Sequence, residues 1–115
     1  MTSSAGPLAD RRCVPCEAGT PPLEDSVVAE LLTELEGWKL DPEGRLVKTF
    51  KFKGFMPGVQ LVDRIAELAE AEGHHPDLCL SWGALTASLI THAIGGLSEN
   101  DFVLAAKIDR LSRDA

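Results

Sequence analysis

Apolar and polar positions alternate along this chain with two different periods, and each change of period marks an element. From about Glu24 to Glu36 the residues Val27, Val28, Leu31, Leu32 and Leu35 recur at helical spacing, and Gly37 ends the run. Trp38-Lys39-Leu40 then reads as a short strand. Asp41-Pro42-Glu43-Gly44 reads as a turn in which Pro sets φ and Gly takes a positive one. A second strand is predicted from Arg45 to about Lys53, with Phe50 and Phe52 on one face and Thr49, Lys51 and Lys53 on the other. That is the alternation of a half-solvated antiparallel strand.

A second helix is predicted from Pro57, whose missing N–H suits a first turn, to about Glu72. Val59, Val62, Ile65, Ala66 and Ala69 form its stripe, and Gly73 stops it. Leu78, Leu80 and Trp82 alternate with Cys79 and Ser81 as a third strand, Gly83-Ala84 turns the chain, and Leu85 to about Thr91 forms the fourth. Trp82, Phe50 and Phe52 are assigned to core or sheet packing rather than to ligand stacking. The last helix has the clearest start. Ser98 is a good N-cap, Asp101 three residues on makes an acidic capping box, and Leu97 and Phe102 occupy the positions of a hydrophobic staple. Ala105, Ile108 and Leu111 carry its stripe.

The order is α-β-β-α-β-β-α. It predicts an α+β domain, one four-stranded antiparallel sheet built from two hairpins with three helices packed on one face. Thr49, Lys51, Cys79 and Ser81 fall on the other, open face, and unprotected sheet edges would suit pairing across subunits. Residues 1–22 hold four of the seven prolines and no apolar period. They read as an extended N-terminal tail, leaving 23–115 as the folded domain. The tail carries a C-x-x-C at Cys13-Val14-Pro15-Cys16. A zinc site would need a second ligand pair at a usual spacing, and a redox motif would need a strand-to-helix junction. Neither is evident, so an incidental or subunit-contact role is the stronger reading.

Composition narrows the function classes. A chain of 115 residues with 44% hydrophobic and 25% charged residues builds one core. A formal charge of −7 argues against non-specific binding to nucleic acid or an anionic membrane, which needs clustered Lys and Arg. No run approaches the ~18–20 apolar residues of a membrane span, and the N-terminus has neither the charged start nor the apolar stretch of a secretory signal. Three cysteines, an odd number, fit a disulfide framework poorly and point to a reducing, cytoplasmic setting.

The candidate chemistry is concentrated between Glu70 and His92, which contain all three histidines, His74, His75 and His92. Imidazole is the side chain whose ordinary pKa lies nearest neutrality, so it is the default proton-transfer group. Pro76 biases His75 toward extended backbone, where consecutive side chains point in opposite directions. The pair then lines two walls of a pocket, or one ring faces the site while the other braces it. The second hairpin can return His92, at the end of the fourth strand, beside them. Glu70, one helical turn before His74, is placed to reach the pocket rim and orient an imidazole. A lone histidine at a helix end is more often a cap or surface residue, but an adjacent pair followed by proline with a third across a hairpin is a stronger pattern. Three histidines can also hold zinc, although the i, i+4 spacing of helical zinc sites is missing.

These residues resemble the pterin-4a-carbinolamine dehydratases. The resemblance rests on Ala69-Glu70, His74-His75-Pro76, an aromatic at Trp82, Thr91-His92, Gly96-Leu97-Ser98 with Asp101, and Ala105-Ala106 before Ile108-Asp109. It takes in Gly37-Trp38 and Phe50-Lys51-Phe52, so it covers roughly residues 23 to 112, and the C-x-x-C tail looks like that of many bacterial members. It implies loss of water from a 4a-hydroxytetrahydropterin, left by an aromatic amino acid hydroxylase, to give the quinonoid dihydropterin that a reductase recycles. It implies no metal or organic cofactor, a homodimer or homotetramer, and His74, His75 and His92 as the catalytic set. His74 and His92 are expected to move protons and His75 to position substrate. Glu70, Pro76, Thr91, Ala93 and Ile94 are expected to bind the pterin. One departure is Gly73, where the family often has an acid, leaving Glu70 or Asp77 as the carboxylate partner. The animal protein of the family also serves as a dimerisation cofactor of a homeodomain transcription factor. A non-catalytic binding, assembly or transcriptional cofactor role is therefore the alternative, and small metal-binding proteins form a third class.

Overall fold

The structure is a computed structural model that describes residues 7–14 and 19–113. Cys16, the second half of the C-x-x-C, lies outside the described residues. The elements follow in the expected order: α1 (Asp25–Leu32), β1 (Lys39–Leu40), β2 (Leu46–Lys51), α2 (Met56–Glu72), β3 (Asp77–Ser81), β4 (Ala84–Leu89) and α3 (Glu99–Arg113). The four strands form one antiparallel sheet in the order β1-β2-β4-β3. The two hairpins therefore meet along β2 and β4, with Phe50 opposite Leu85 and Leu46 opposite Leu89.

Alternation decides which face is covered. Leu46, Phe50, Leu85, Ala87 and Leu89 are buried beneath the helices with Leu61, Ile65, Phe102, Leu104 and Ile108. Their odd-even neighbours Thr49, Lys51, Cys79 and Ser81 are exposed on the other face, where the Thr49 and Thr86 hydroxyls lie 2.9 Å apart. Burying the covered face stabilises the domain by roughly 25 cal/mol per Å² of apolar surface removed from water.

Several local expectations give way to packing. α1 ends at Leu32, because turn hydrogen bonds from Thr33, Glu34 and Leu35 replace helical ones, and Val27 stays exposed. The buried stripe of α2 is Gly58, Leu61, Ile65 and Ala69, while Ala66 is exposed. Gly58 lets the helix lie close on β3: a Cβ there would stand 2.6 Å from Leu80 Cδ1, so a side chain at that point would have to displace the end of Leu80. Trp82 is not core; it is 69% exposed in a two-residue turn with Gly83. Pairing Leu80 with Leu85 on the covered face makes Ser81 and Ala84 the last pair and leaves only Trp82 and Gly83 to turn the chain.

Residues 7–14, expected within an extended tail, begin with a 3₁₀ turn (Leu8–Asp10) and pack on the body of the domain. Leu8 is buried in the core, Arg11 pairs with Glu99, and Arg110 with Asp10. Trp38 is buried on the edge of the core, where its indole N–H donates to the Asp109 carboxylate.

Candidate functional site

Three segments converge at one end of the molecule. α2 closes on Gly73, which adopts a left-handed conformation (φ 68°, ψ 26°), and the N–H groups of Gly73 and His74 both bond to the Ala69 carbonyl. This ending throws His74 and His75 off the helix axis just before β3 begins. After β4 the chain makes a tight loop. Thr91 and Gly96 bond to each other through both backbone groups, and a 3₁₀ turn (His92–Ile94) is held between them. His92 was expected to end the fourth strand; β4 stops at Leu89, and His92 opens this turn instead. The loop clamp holds its ring out at the surface, and that ring makes no hydrogen bond to any described residue.

Between these segments lies a cleft of roughly 270 Å³. One wall is Gly73, His74 and His75, and the second runs from Ile90 to Ala93 with His92 at its rim. Val14 and Asn100 form the third wall. All three histidines therefore border one opening, together with Thr91 and Ala93. Pro76 and Ile94 lie outside that lining, and Glu70 touches the site only through its carboxylate, which hydrogen-bonds His75 Nε2. A larger opening of about 380 Å³ beside α1 is lined by Glu30, Glu34 and Glu99 around Arg11, and no imidazole borders it.

The site has a buried centre that the histidine pattern does not announce. Asp101 is fully buried in the first turn of α3, and its Oδ1 lies 2.6 Å from His74 Nε2. Its Oδ2 accepts from the Thr91 hydroxyl at 2.8 Å and from the Ser98 N–H at 2.9 Å. The expected capping box is thus half present: the acid reaches back as predicted, but the Ser98 hydroxyl is 2.7 Å from the Thr91 hydroxyl rather than on the helix end. The carboxylate that partners His74 is Asp101, and Glu70 partners His75. In the sequence Asp101 stands out by its capping position and as part of the resemblance pattern after Gly96-Leu97-Ser98; the capping position explains one of its oxygens and not the other. A buried carboxylate with both oxygens engaged fixes the ring it touches in orientation and tautomer. Among the described residues, no cluster of three His, Cys, Asp or Glu has metal-binding geometry.

The third wall comes from the N-terminal segment. Asn100 accepts from the Val14 N–H at 2.9 Å and donates to the Val14 carbonyl. Glu72 accepts the Cys13 N–H at 2.8 Å. Burial, reinforced by the Glu72 carboxylate, pushes the Cys13 thiol from 9.0 up to about 12. That is the reverse of what a reactive or metal-binding thiolate needs.

Comparison with known proteins agrees with this architecture. Residues 21–111 match the sequence profile of the family described as Pterin 4 alpha carbinolamine dehydratase. A protein of Rickettsia bellii (strain OSU 85-389), provisionally named a pterin-4-alpha-carbinolamine dehydratase, is 50% identical over 105 residues, 90% of this chain and 93% of its own. A protein of Rubrobacter xylanophilus with the same provisional name is 45% identical over 104 residues, 90% and 97% of the two chains. The crystal structure of a transcriptional coactivator/pterin dehydratase from Brucella melitensis superposes with a TM-score of 0.75 at 29% identity, covering 79% of this chain and 98% of that one.

Proposed function

This chain belongs to the pterin 4 alpha carbinolamine dehydratase family, and from that premise we propose that its histidine cleft removes water from a 4a-hydroxytetrahydropterin by general acid–base catalysis. In this reaction the C4a–O bond breaks, the departing oxygen gains a proton and leaves as water, and N5 loses its proton. A C4a=N5 double bond remains, giving the quinonoid dihydropterin. One group must take a proton and another must give one, and imidazoles serve for both near neutral pH, with effects of ~10² to 10⁴ typical of positioned proton transfer.

The observation that carries the reading is the convergence of His74, His75 and His92 on one cleft, with His74 braced by the buried Asp101. With Nε2 engaged by Asp101, His74 offers Nδ1 to a substrate as the base. His92, exposed and without a hydrogen-bond partner among the described residues, suits exchange of a proton with the departing oxygen. His75, held by Glu70 at the rim, orients the ring.

A second reading has one observation in its favour: the description of the Brucella melitensis protein couples coactivator with dehydratase. On that reading the cleft is retained for binding alone. Stopped-flow absorbance on chemically generated 4a-hydroxytetrahydropterin separates the two. Dehydration faster than in buffer, reduced about tenfold or more in folded His74→Ala and His92→Ala, is the expected result. No acceleration by folded wild-type protein would sink the enzyme reading and leave the binding one.

A further inference from the structure

The cleft has a wall that lies ahead of the residues 21–111 matched by the family profile. Cys13 and Val14 run across its third side, tied down at four points. The Val14 N–H and carbonyl both pair with the Asn100 side-chain amide, the Cys13 N–H donates to Glu72, and the Cys13 thiol lies 3.7 Å from the Asn100 carbonyl oxygen. One amide side chain thus satisfies both polar groups of a single residue, as a neighbouring strand would. The pinned side chain nevertheless stays 63% exposed, on the cleft. Ordering that backbone costs conformational entropy, and the Val14 side chain returns little apolar burial to the fold. What the clamp does is hold an apolar side chain at the mouth of a cleft that three imidazoles border.

We propose that the Cys13–Val14 segment is part of the substrate-binding wall, with Val14 packing against the reduced bicyclic ring of the pterin and Asn100 acting as the positioning residue that holds it there. The inference rests on the pterin reading of the same cleft and adds a specificity element to it. Asn100 touches no reacting atom. It sits one residue before Asp101, so the turn of helix that braces His74 also fixes the opposite wall.

The test pairs steady-state kinetics on 4a-hydroxytetrahydropterin with hydrogen exchange at the residue-14 amide, in wild type, Asn100→Ala and Val14→Ser. Asn100→Ala is expected to speed exchange at that amide about tenfold or more and to raise KM about fivefold, leaving kcat within about twofold. Val14→Ser, which removes the apolar contact at an exposed position and keeps the clamp, is expected to raise KM about threefold while residue 14 stays protected. An unchanged KM in both variants would overturn the proposal, whatever the exchange shows. So would a fall in kcat with KM unchanged in Asn100→Ala, which would mean that the substitution had disturbed Asp101 rather than the wall. If the wild type itself neither dehydrates nor binds a pterin, the function reading fails and this inference with it. That outcome is distinct from an active enzyme indifferent to Asn100.

Discussion

At the scale of single residues the site depends on how Asp101 divides its two oxygens. One meets His74, 27 positions earlier in sequence, and the other holds Thr91 and the Ser98 N–H. An asparagine there has nearly the same shape but only one acceptor oxygen. Whichever way it turns, either the imidazole or the Thr91–Ser98 pair meets an N–H₂ group. Asp101→Asn is therefore expected to lower kcat about tenfold or more and to reduce stability by about 1–3 kcal/mol, the cost of an unmatched buried polar group. Stopped-flow rates and urea unfolding on the same preparation check both. An unchanged kcat would show that His74 does not depend on this carboxylate. The histidines were legible because three rare residues crowd one segment. The capping position of Asp101 showed that it would face inward at a helix start, but no local pattern links it to His74, because that contact is made by the fold.

At the scale of elements, periodicity delivered all three helices, all four strands and both hairpins. What it missed depends on partners. Apolar spacing puts Val59, Val62, Ile65, Ala66 and Ala69 on the stripe of α2, yet the helix buries Gly58, Leu61, Ile65 and Ala69, with Gly58 against Leu80. A residue without a side chain leaves no mark in a hydrophobic pattern. Gly83-Ala84 has the composition of a turn, but the chain turns one residue earlier, at Trp82-Gly83, because the Ser81–Ala84 pair is fixed by buried Leu85. Gly73 was legible in full, since a helix stop needs a left-handed residue and glycine supplies it at least cost. With Gly73 as its left-handed cap, α2 sets the direction in which His74 and His75 leave.

At the scale of the whole molecule the described N-terminal segment is tied to the last two helices. Asp10 pairs with Arg110, Arg11 with Glu99, and Cys13 sits beside Glu72 and Asn100. The raised Cys13 pKa turns this docking into a pH dependence. Below about 9 the thiol is protonated whether the chain is folded or not, and its burial carries no ionisation penalty. As pH rises from 9.0 toward about 12 the unfolded chain loses the proton while the folded one keeps it, so stability falls. Urea midpoints taken from pH 7.5 to 10.5 are expected to drop more steeply for wild type than for Cys13→Ala, and parallel curves would contradict the assignment. The placement of the indoles has an optical consequence. The chain has two tryptophans and no tyrosine, one indole sealed against Asp109 and the other at the tip of a turn. Its near-ultraviolet emission therefore splits into a blue component out of reach of iodide and a red component open to quenching. The first reports the integrity of the core, and the second reports whatever approaches the hairpin tip.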